Sequence, residues 1–367
     1  MRSGVGVQRM ISQLLVVGLS HQTAPLALRE RLAIPARQLP EALASVRACA
    51  AVSEAAILST CNRVELYVAA REHASTHEGL RDFLRHQSRL AAAQLDRVLY
   101  RRSGTEAAAH LFRVAAGLDS MILGESEVTA QVKQAYDVAR AAGAAGPLLH
   151  RLFQKALHST KVVRSGTRIA EGRVSIGSVI VTLAEQAVEG RLASCEVLLW
   201  GAGKAAETTA RHLIKHGVRR LWVVNRTATG AQALAALCQT GWLSWEQARA
   251  RLETVDLAVI CTQAPHYVMD CDDLAAILPR RGSRPLCLID LAVPRNVDPA
   301  ARRMAGVRLY DVDDLTAIAD ASRRLRAHEQ VRCETLIHDQ VQHFCRGVWS
   351  QPEEERACRT PVACLAV

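Results

Sequence analysis

The chain has 367 residues, 46 Lys plus Arg against 36 Asp plus Glu (net +10), 49% hydrophobic and 22% charged residues. That balance excludes a wholly disordered or collagen-like chain and allows one or two domains with a sizeable core. The 11 cysteines are an odd number in a long chain, with no CxxC pair and no zinc-ligand spacing, so we expect free thiols, a reducing cytoplasm and no metal. No apolar run reaches about 18 residues, so no transmembrane helix and no membrane partner are expected.

Residues 1–13 read as a ragged leader, because the apolar run after Arg9 is short and broken by Ser12 and Gln13. Either Met1 or Met10 could open the chain. The pattern then predicts a strand at Leu14–Leu19, a helix at Leu39–Ala50, and strands at Glu54–Ser59 and Val64–Ala69. A helix is predicted from Thr105, with Thr105 and Glu106 as candidate caps, through Leu118, and another over Val128–Ala142, closed by Gly143 and Gly146-Pro147. Two more follow at Leu148–Arg164 and Ser175–Val188.

Beyond them the texture changes. Apolar strands are predicted at Glu196–Trp200, Leu221–Asn225, Val255–Thr262 and Pro285–Leu291, alternating with helices such as Ala205–His216. This is the signature of a doubly wound parallel sheet. From Thr316 a polar helix runs to about Trp349, with Ile318, Leu325, Leu336, Val341 and Phe344 on its apolar side, before a Pro- and Cys-containing tail. The expected fold class is α/β: an α+β catalytic, substrate-binding domain at 14–165, a Rossmann-type domain at 166–314, and a C-terminal helix and tail at 315–367. Between His150 and Arg226 there are 13 Lys or Arg against five Glu and no Asp, 13 − 5 = +8. That excess suits either a solvated Arg-rich surface or a phosphate-rich partner.

Gly201-Ala202-Gly203-Lys204-Ala205-Ala206 follows one predicted strand and opens a helix, the GxGxxA form of a dinucleotide turn. Gly201 permits the bend, Gly203 lets backbone N–H groups approach a pyrophosphate, and Ala206 allows close helix–strand packing. The next strand ends in Asn225-Arg226-Thr227, where a carboxylate would select NAD. A guanidinium there suits a 2′-phosphate, so NADPH is the expected cofactor.

Cys61 stands in Ser59-Thr60-Cys61-Asn62-Arg63, between two predicted strands. Hydroxyl, amide and guanidinium neighbours would favour the nucleophilic thiolate, while a buried cysteine filling a strand end is the competing reading. The other cysteines, Cys195, Cys238, Cys261 and Cys287 among them, read as small core hydrophobes.

Several motifs in order resemble the glutamyl-tRNA reductase family. They are Gly18-Leu19-Ser20-His21-Gln22-Thr23-Ala24-Pro25 with Leu28-Arg29-Glu30, Leu58 to Tyr67, and His110 to Glu125. Gln131-Val132-Lys133, Phe153-Gln154-Lys155-Ala156, Asp290 to Arg295 and Asp311 to Leu315 continue the resemblance. It implies that Cys61 attacks the ester of glutamyl-tRNA(Glu) to form a thioester, which NADPH reduces to glutamate-1-semialdehyde, opening five-carbon tetrapyrrole synthesis. It also implies His110 for proton transfer or orientation, although without it His110 reads as a satisfied helix histidine. Thr60, Asn62, Arg63, Ser120, Glu125, Ser126, Glu127 and Gln131 become substrate residues, with Arg63 meeting the substrate carboxylate and Glu125 its ammonium. Glutamate-1-semialdehyde aminomutase is an implied partner.

Two departures from the family pattern stand out. Glu127 occupies a position where the family usually has Gln, adding a carboxylate beside a site for glutamate. The family continues past the long helix into a dimerisation domain, whereas this sequence ends at Val367, so that domain is expected to be largely absent and the family's homodimer is not assumed. Two other readings stay open: a paralogous thioester reductase for another acyl group, and a catalytically weak tRNA-binding regulatory protein. The glycine turn also resembles shikimate dehydrogenases, but the Cys61 loop does not suit a shikimate site.

Overall fold

Strand β1 (Leu14–Ser20) is buried along its whole length, because it lies inside a sheet covered on both faces. Helices α1 (Leu26–Leu32) and α2 (Leu39–Arg47) follow, then the hairpin β2 (Val52–Ser59) and β3 (Arg63–Ala70). Next come α3 (His73–Ser88), α4 (Ala92–Asp96), β4 (Tyr100–Ser103), α5 (Gly104–Ala115), α6 (Glu127–Ala141) and α7 (Pro147–Gly166). The structure, a computed structural model, describes residues 13–49, 51–169, 176–316, 318–319 and 327–349. The leader up to Ser12, Ser175, Leu325 and the tail beyond Trp349 lie outside the described residues.

The first sheet is antiparallel in the order β2-β3-β1-β4. Gly18 of β1 faces Glu65 of β3. A Cβ at Gly18 would lie 2.6 Å from the Val64 carbonyl and 2.8 Å from Glu65 Cγ, so glycine makes room for a buried carboxylate. In this unit α1, α3, whose apolar stripe is thin, α4 and the short strand β4 escaped the sequence patterns. Helix α5 ends at Ala115 rather than Leu118, and Ser103 occupies its N-cap, so Thr105 and Glu106 lie inside the helix.

The second unit holds α8 (Ile176–Ala187), β5 (Glu196–Trp200), α9 (Lys204–Lys215), β6 (Arg220–Val224), α10 (Ala228–Cys238) and β7 (Gly241–Leu243). It continues through α11 (Trp245–Arg251), β8 (Leu257–Ile260), α12 (Cys271–Arg281), β9 (Leu286–Asp290) and β10 (Val307–Asp311). Its six strands are parallel in the order β10-β9-β8-β5-β6-β7. Strand order reverses at β5, which sits between β6 and β8, and a crevice opens at such a switch point beyond the C-terminal strand ends.

Helix α13 (Ala327–Trp349) returns to the first unit. Its Cys333, Ile337, Val341, Phe344 and Cys345 join the core under the antiparallel sheet, with Phe344 5.9 Å from Phe112 between ring centroids. In the other direction, Met121 and Ile122 insert into the core on one face of the parallel sheet. The first unit thus lends apolar side chains to the second, while the C-terminal helix packs back on the first.

Candidate active site

Cys61 and Asn62 form the tip of the β2–β3 hairpin. Thr60 shapes that turn: its N–H donates to the Arg63 carbonyl at 2.9 Å, and its Oγ1 accepts from the N–H groups of Asn62 (3.1 Å) and Arg63 (3.2 Å). The half-buried thiol is pushed up to about 12 by burial and then by the Glu125 and Glu127 carboxylates, with Arg29 pulling the other way. This corrects the expectation of a thiolate-favouring pocket. Sequence neighbours at a hairpin tip point in different directions, and the Arg63 guanidinium leaves the thiol for the interior.

Arg63 is 1% exposed. Its Nη1 donates to Glu65 Oε1 at 2.7 Å and to Asp119 Oδ2 at 3.0 Å, and its Nη2 to the Asp119 carbonyl at 2.5 Å. A substrate carboxylate reaching Arg63 would have to displace Asp119. Glu65, at 0% exposure, also accepts from Tyr67 (2.5 Å) and Tyr100, and His110 Nε2 lies 2.9 Å from its Oε1. Burial alone would raise this carboxyl, yet His110 and Arg63 hold it well below the usual carboxylate range. His110 is therefore placed on Glu65, in a fully partnered network.

Ser120 is buried on the loop that carries Met121 and Ile122, and it hydrogen-bonds the Glu125 side chain. Glu125 is raised to about 7 by burial and then by Glu127. Exposed Ser126 is the N-cap residue of α6 without a side-chain cap bond, Glu127 opens the helix, and Gln131 lies one turn on along the same face. Burial also raises the Glu127 carboxyl, against the opposing pull of Lys204.

Lys204 belongs to the dinucleotide turn, so the Glu127 carboxylate is coupled electrostatically to both the thiol and that turn. Gly201 has φ +114°, and a Cβ there would lie 2.5 Å from the Cys261 carbonyl. At Gly203 a Cβ would meet nothing within 4 Å, leaving an open cradle at the head of α9. Ala202 is half-buried, Ala205 exposed and Ala206 buried at the start of that helix. Lys204, 78% exposed, lies 3.2 Å from Glu207. At the end of β6, Asn225 Nδ2 donates to Thr227 Oγ1 at 3.0 Å, and Arg226 is exposed beside it. A strand end, a glycine bend, an open backbone and a helix N-terminus at the switch point fit a nicotinamide dinucleotide.

The fold brings Cys61, Glu125, Glu127 and Lys204 into one electrostatic neighbourhood, and sets Arg63 and His110 behind it on Glu65. Sequence reasoning missed Glu65 and Asp119 as partners. An ionisable residue inside the otherwise apolar run of β3 was the available signal for Glu65. Cys261, read from the sequence as a small core hydrophobe, packs against the core of the parallel sheet after β8, with its carbonyl close to Gly201 and its thiol pushed up to about 12 by burial.

Residues 17–167 match the family described as glutamyl-tRNAGlu reductase, N-terminal domain, and residues 182–318 match shikimate / quinate 5-dehydrogenase. The chain is 39% identical over 354 residues to glutamyl-tRNA reductase 2 of Anaeromyxobacter dehalogenans, covering 96% of this chain and 76% of that protein. It is 40% identical over 330 residues to glutamyl-tRNA reductase of Syntrophus aciditrophicus, covering 89% and 78%. The solved structure of glutamyl-tRNA reductase from Methanopyrus kandleri superposes with a TM-score of 0.51 at 33% identity, over 92% of this chain and 80% of that one. With a nicotinamide-type domain joined to the Cys61 hairpin domain, and these relatives along most of its length, the chain is an oxidoreductase that belongs to the glutamyl-tRNA reductase family.

Proposed function

We propose that this protein reduces glutamyl-tRNA(Glu) to glutamate-1-semialdehyde with NADPH, through a thioester on Cys61. The observation that supports this reading is that the Glu127 carboxylate interacts electrostatically with both the Cys61 thiol and Lys204 of the dinucleotide turn, as a nucleophile and a cofactor turn serving one reaction would require.

The Cys61 sulfur forms a C–S bond to the glutamyl carbonyl, and the C–O bond to the terminal ribose breaks, releasing tRNA with the thiol's proton. The covalent tether then holds the acyl group in the cleft. Glu125 and Glu127 receive the substrate ammonium, whose charge offsets the negative field that holds the thiol up. Substrate arrival thereby helps to generate its own nucleophile. Ser120 orients Glu125, and Arg63 takes the substrate carboxylate once Asp119 gives way. Gly201, Ala202, Gly203, Lys204, Ala205 and Ala206 would hold the pyrophosphate, and Asn225, Arg226 and Thr227 the 2′-phosphate. A reduced nicotinamide, when bound there, supplies the hydride that converts the thioester to an aldehyde and returns the Cys61 thiolate.

A free amino aldehyde is reactive, so an aminomutase in the same cytoplasm, on the route to 5-aminolevulinate and tetrapyrroles, is the expected consumer. The test is incubation with NADPH and glutamyl-tRNA, comparing Cys61→Ser. Semialdehyde formed by the wild type and lost in the variant supports the reading. NADPH oxidation with another acyl ester, and none with glutamyl-tRNA, overturns it in favour of a paralogous reductase.

A further inference from the structure

Leu28-Arg29-Glu30 and the stretches Asp290 to Arg295 and Asp311 to Leu315 have no part in the chemistry above, and they lie more than 250 positions apart in the chain. In the fold they meet. Arg29, 1% exposed, sends each arm of its guanidinium to a different place. Nε donates to the Ala24 carbonyl at 3.2 Å, closing α1 onto its own entry turn. Nη1 donates to the main-chain carbonyl of Cys61 at 2.6 Å and to Asn62 Oδ1 at 3.5 Å. Nη2 donates to Asp313 Oδ1, and the other oxygen of Asp313 accepts from the N–H of Leu26 at 3.3 Å.

The adjacent Glu30 is bound to Arg295 by a fork, Nη2 to Oε1 at 2.7 Å and Nε to Oε2 at 2.9 Å, with the Arg295 N–H at 3.3 Å. The loop that presents Arg295 is itself tied down. Buried Asp290, at the end of β9, accepts from the N–H groups of Ala292 (3.0 Å), Asn296 (2.7 Å) and Val297 (2.8 Å). Helix α1 is thus clamped at two points to loops leaving the C-terminal ends of β9 and β10. That is the edge of the parallel sheet at which the Gly201 turn opens.

We infer that Arg29 is a positioning residue: with the Glu30–Arg295 fork, it couples the nicotinamide-binding unit to the main chain at Cys61 and sets the thiol against the cofactor cleft. The Asp313 carboxylate is 44% exposed, so its pairing adds little to stability. Its consequence is directional, because a guanidinium has a rigid fork and the Cys61 carbonyl is hydrogen-bonded to one of its arms. A lysine could keep the charge but could not span the Cys61 carbonyl, Ala24 and Asp313 together. The inference rests on the proposed thioester chemistry only for its effect on turnover; the geometric coupling does not.

The first readout therefore uses neither substrate nor cofactor. Arg29→Lys and Asp313→Asn proteins are treated with iodoacetamide, and alkylation of the Cys61 peptide is followed by mass against the half-buried Cys49 and Cys271 of the same molecule. A several-fold change at Cys61 alone is expected in both variants, although Asp313 lies in the other unit. An unchanged Cys61, or all three thiols changing together, overturns the coupling. The second readout uses the intact protein with glutamyl-tRNA, comparing tRNA release without cofactor with aldehyde formation under NADPH, in Asp313→Asn and Glu30→Gln. Release is expected to persist while aldehyde formation falls about tenfold to a hundredfold, as a misplacement of about 1 Å would cause. Equal loss of both steps, or loss of neither, overturns the positioning role. A wild type inert on glutamyl-tRNA but showing the selective Cys61 effect refutes the substrate reading and leaves the coupling standing.

Discussion

The guanidinium of Arg63 grips Asp119 at both its polar ends, side-chain Oδ2 at 3.0 Å and main-chain oxygen at 2.5 Å, while also bonding Glu65. Arg63 thereby pins the loop that carries Ser120 and Glu125 to the hairpin that carries Cys61. Removing it by Arg63→Met leaves the buried Glu65 carboxylate without its guanidinium, and a cost of about 3–5 kcal/mol is expected. Arg63→Lys keeps a charge but loses the fork, with an expected cost of about 1–3 kcal/mol. Urea unfolding of the two variants at neutral pH checks the order.

The Glu65 carboxyl is held below its usual range, so its partners stabilise the fold above the unfolded-state value of about 4.5 and that contribution is lost as pH falls. Glu65→Gln is expected to be less stable than wild type at pH 7, with the gap narrowing below about pH 4.5. His110→Ala, which removes one partner, should cost about 1–3 kcal/mol at pH 7. Unfolding midpoints measured from pH 3 to pH 7 read both effects.

Replacing Glu127 by Gln takes one carboxylate away from a thiol that stands near 12 and from Glu125, which stands near 7. The Cys61 thiol should fall, and each unit it falls raises the thiolate fraction at pH 8 about tenfold. Glu125 should fall too. Its raised carboxyl makes wild-type stability decline as pH rises from about 4.5 to about 7, because the folded state then binds the extra proton. That decline should flatten in Glu127→Gln. Alkylation of Cys61 against pH, with unfolding over the same range, checks both.

The two glycines of the dinucleotide turn should respond differently. Gly201→Ala meets the Cys261 carbonyl and an unfavourable positive φ, and should destabilise the fold by about 1–3 kcal/mol. Gly203→Ala meets open space and should leave the melting temperature nearly unchanged while weakening NADPH binding, because its Cβ occupies the approach of the pyrophosphate. Thermal melts and fluorescence titration with NADPH separate the outcomes.

Arg226→Ala should weaken NADPH binding by about 1.5–3 kcal/mol, roughly tenfold to a hundredfold, and leave NADH binding nearly unchanged. Parallel titrations with the two cofactors measure the change in preference.

Much of this protein could be read along the chain, because its information is local. Continuous apolar strand runs, the glycine bend between Trp200 and Lys204, and the turn chemistry of Thr60 to Arg63 each depend on neighbours within a few residues. The strand Glu196–Trp200 is found at its predicted boundaries for that reason. What local pattern could not decide was direction and long-range partnership. Arg63 stands two residues from Cys61 yet turns to Glu65 and Asp119, so the thiol feels the Glu125 and Glu127 carboxylates without the Arg63 guanidinium to offset them. Arg29 bonds a residue 284 positions away. Those outcomes depend on which buried charges the packed units bring together. A desolvated charge must find its partner wherever the tertiary structure places one.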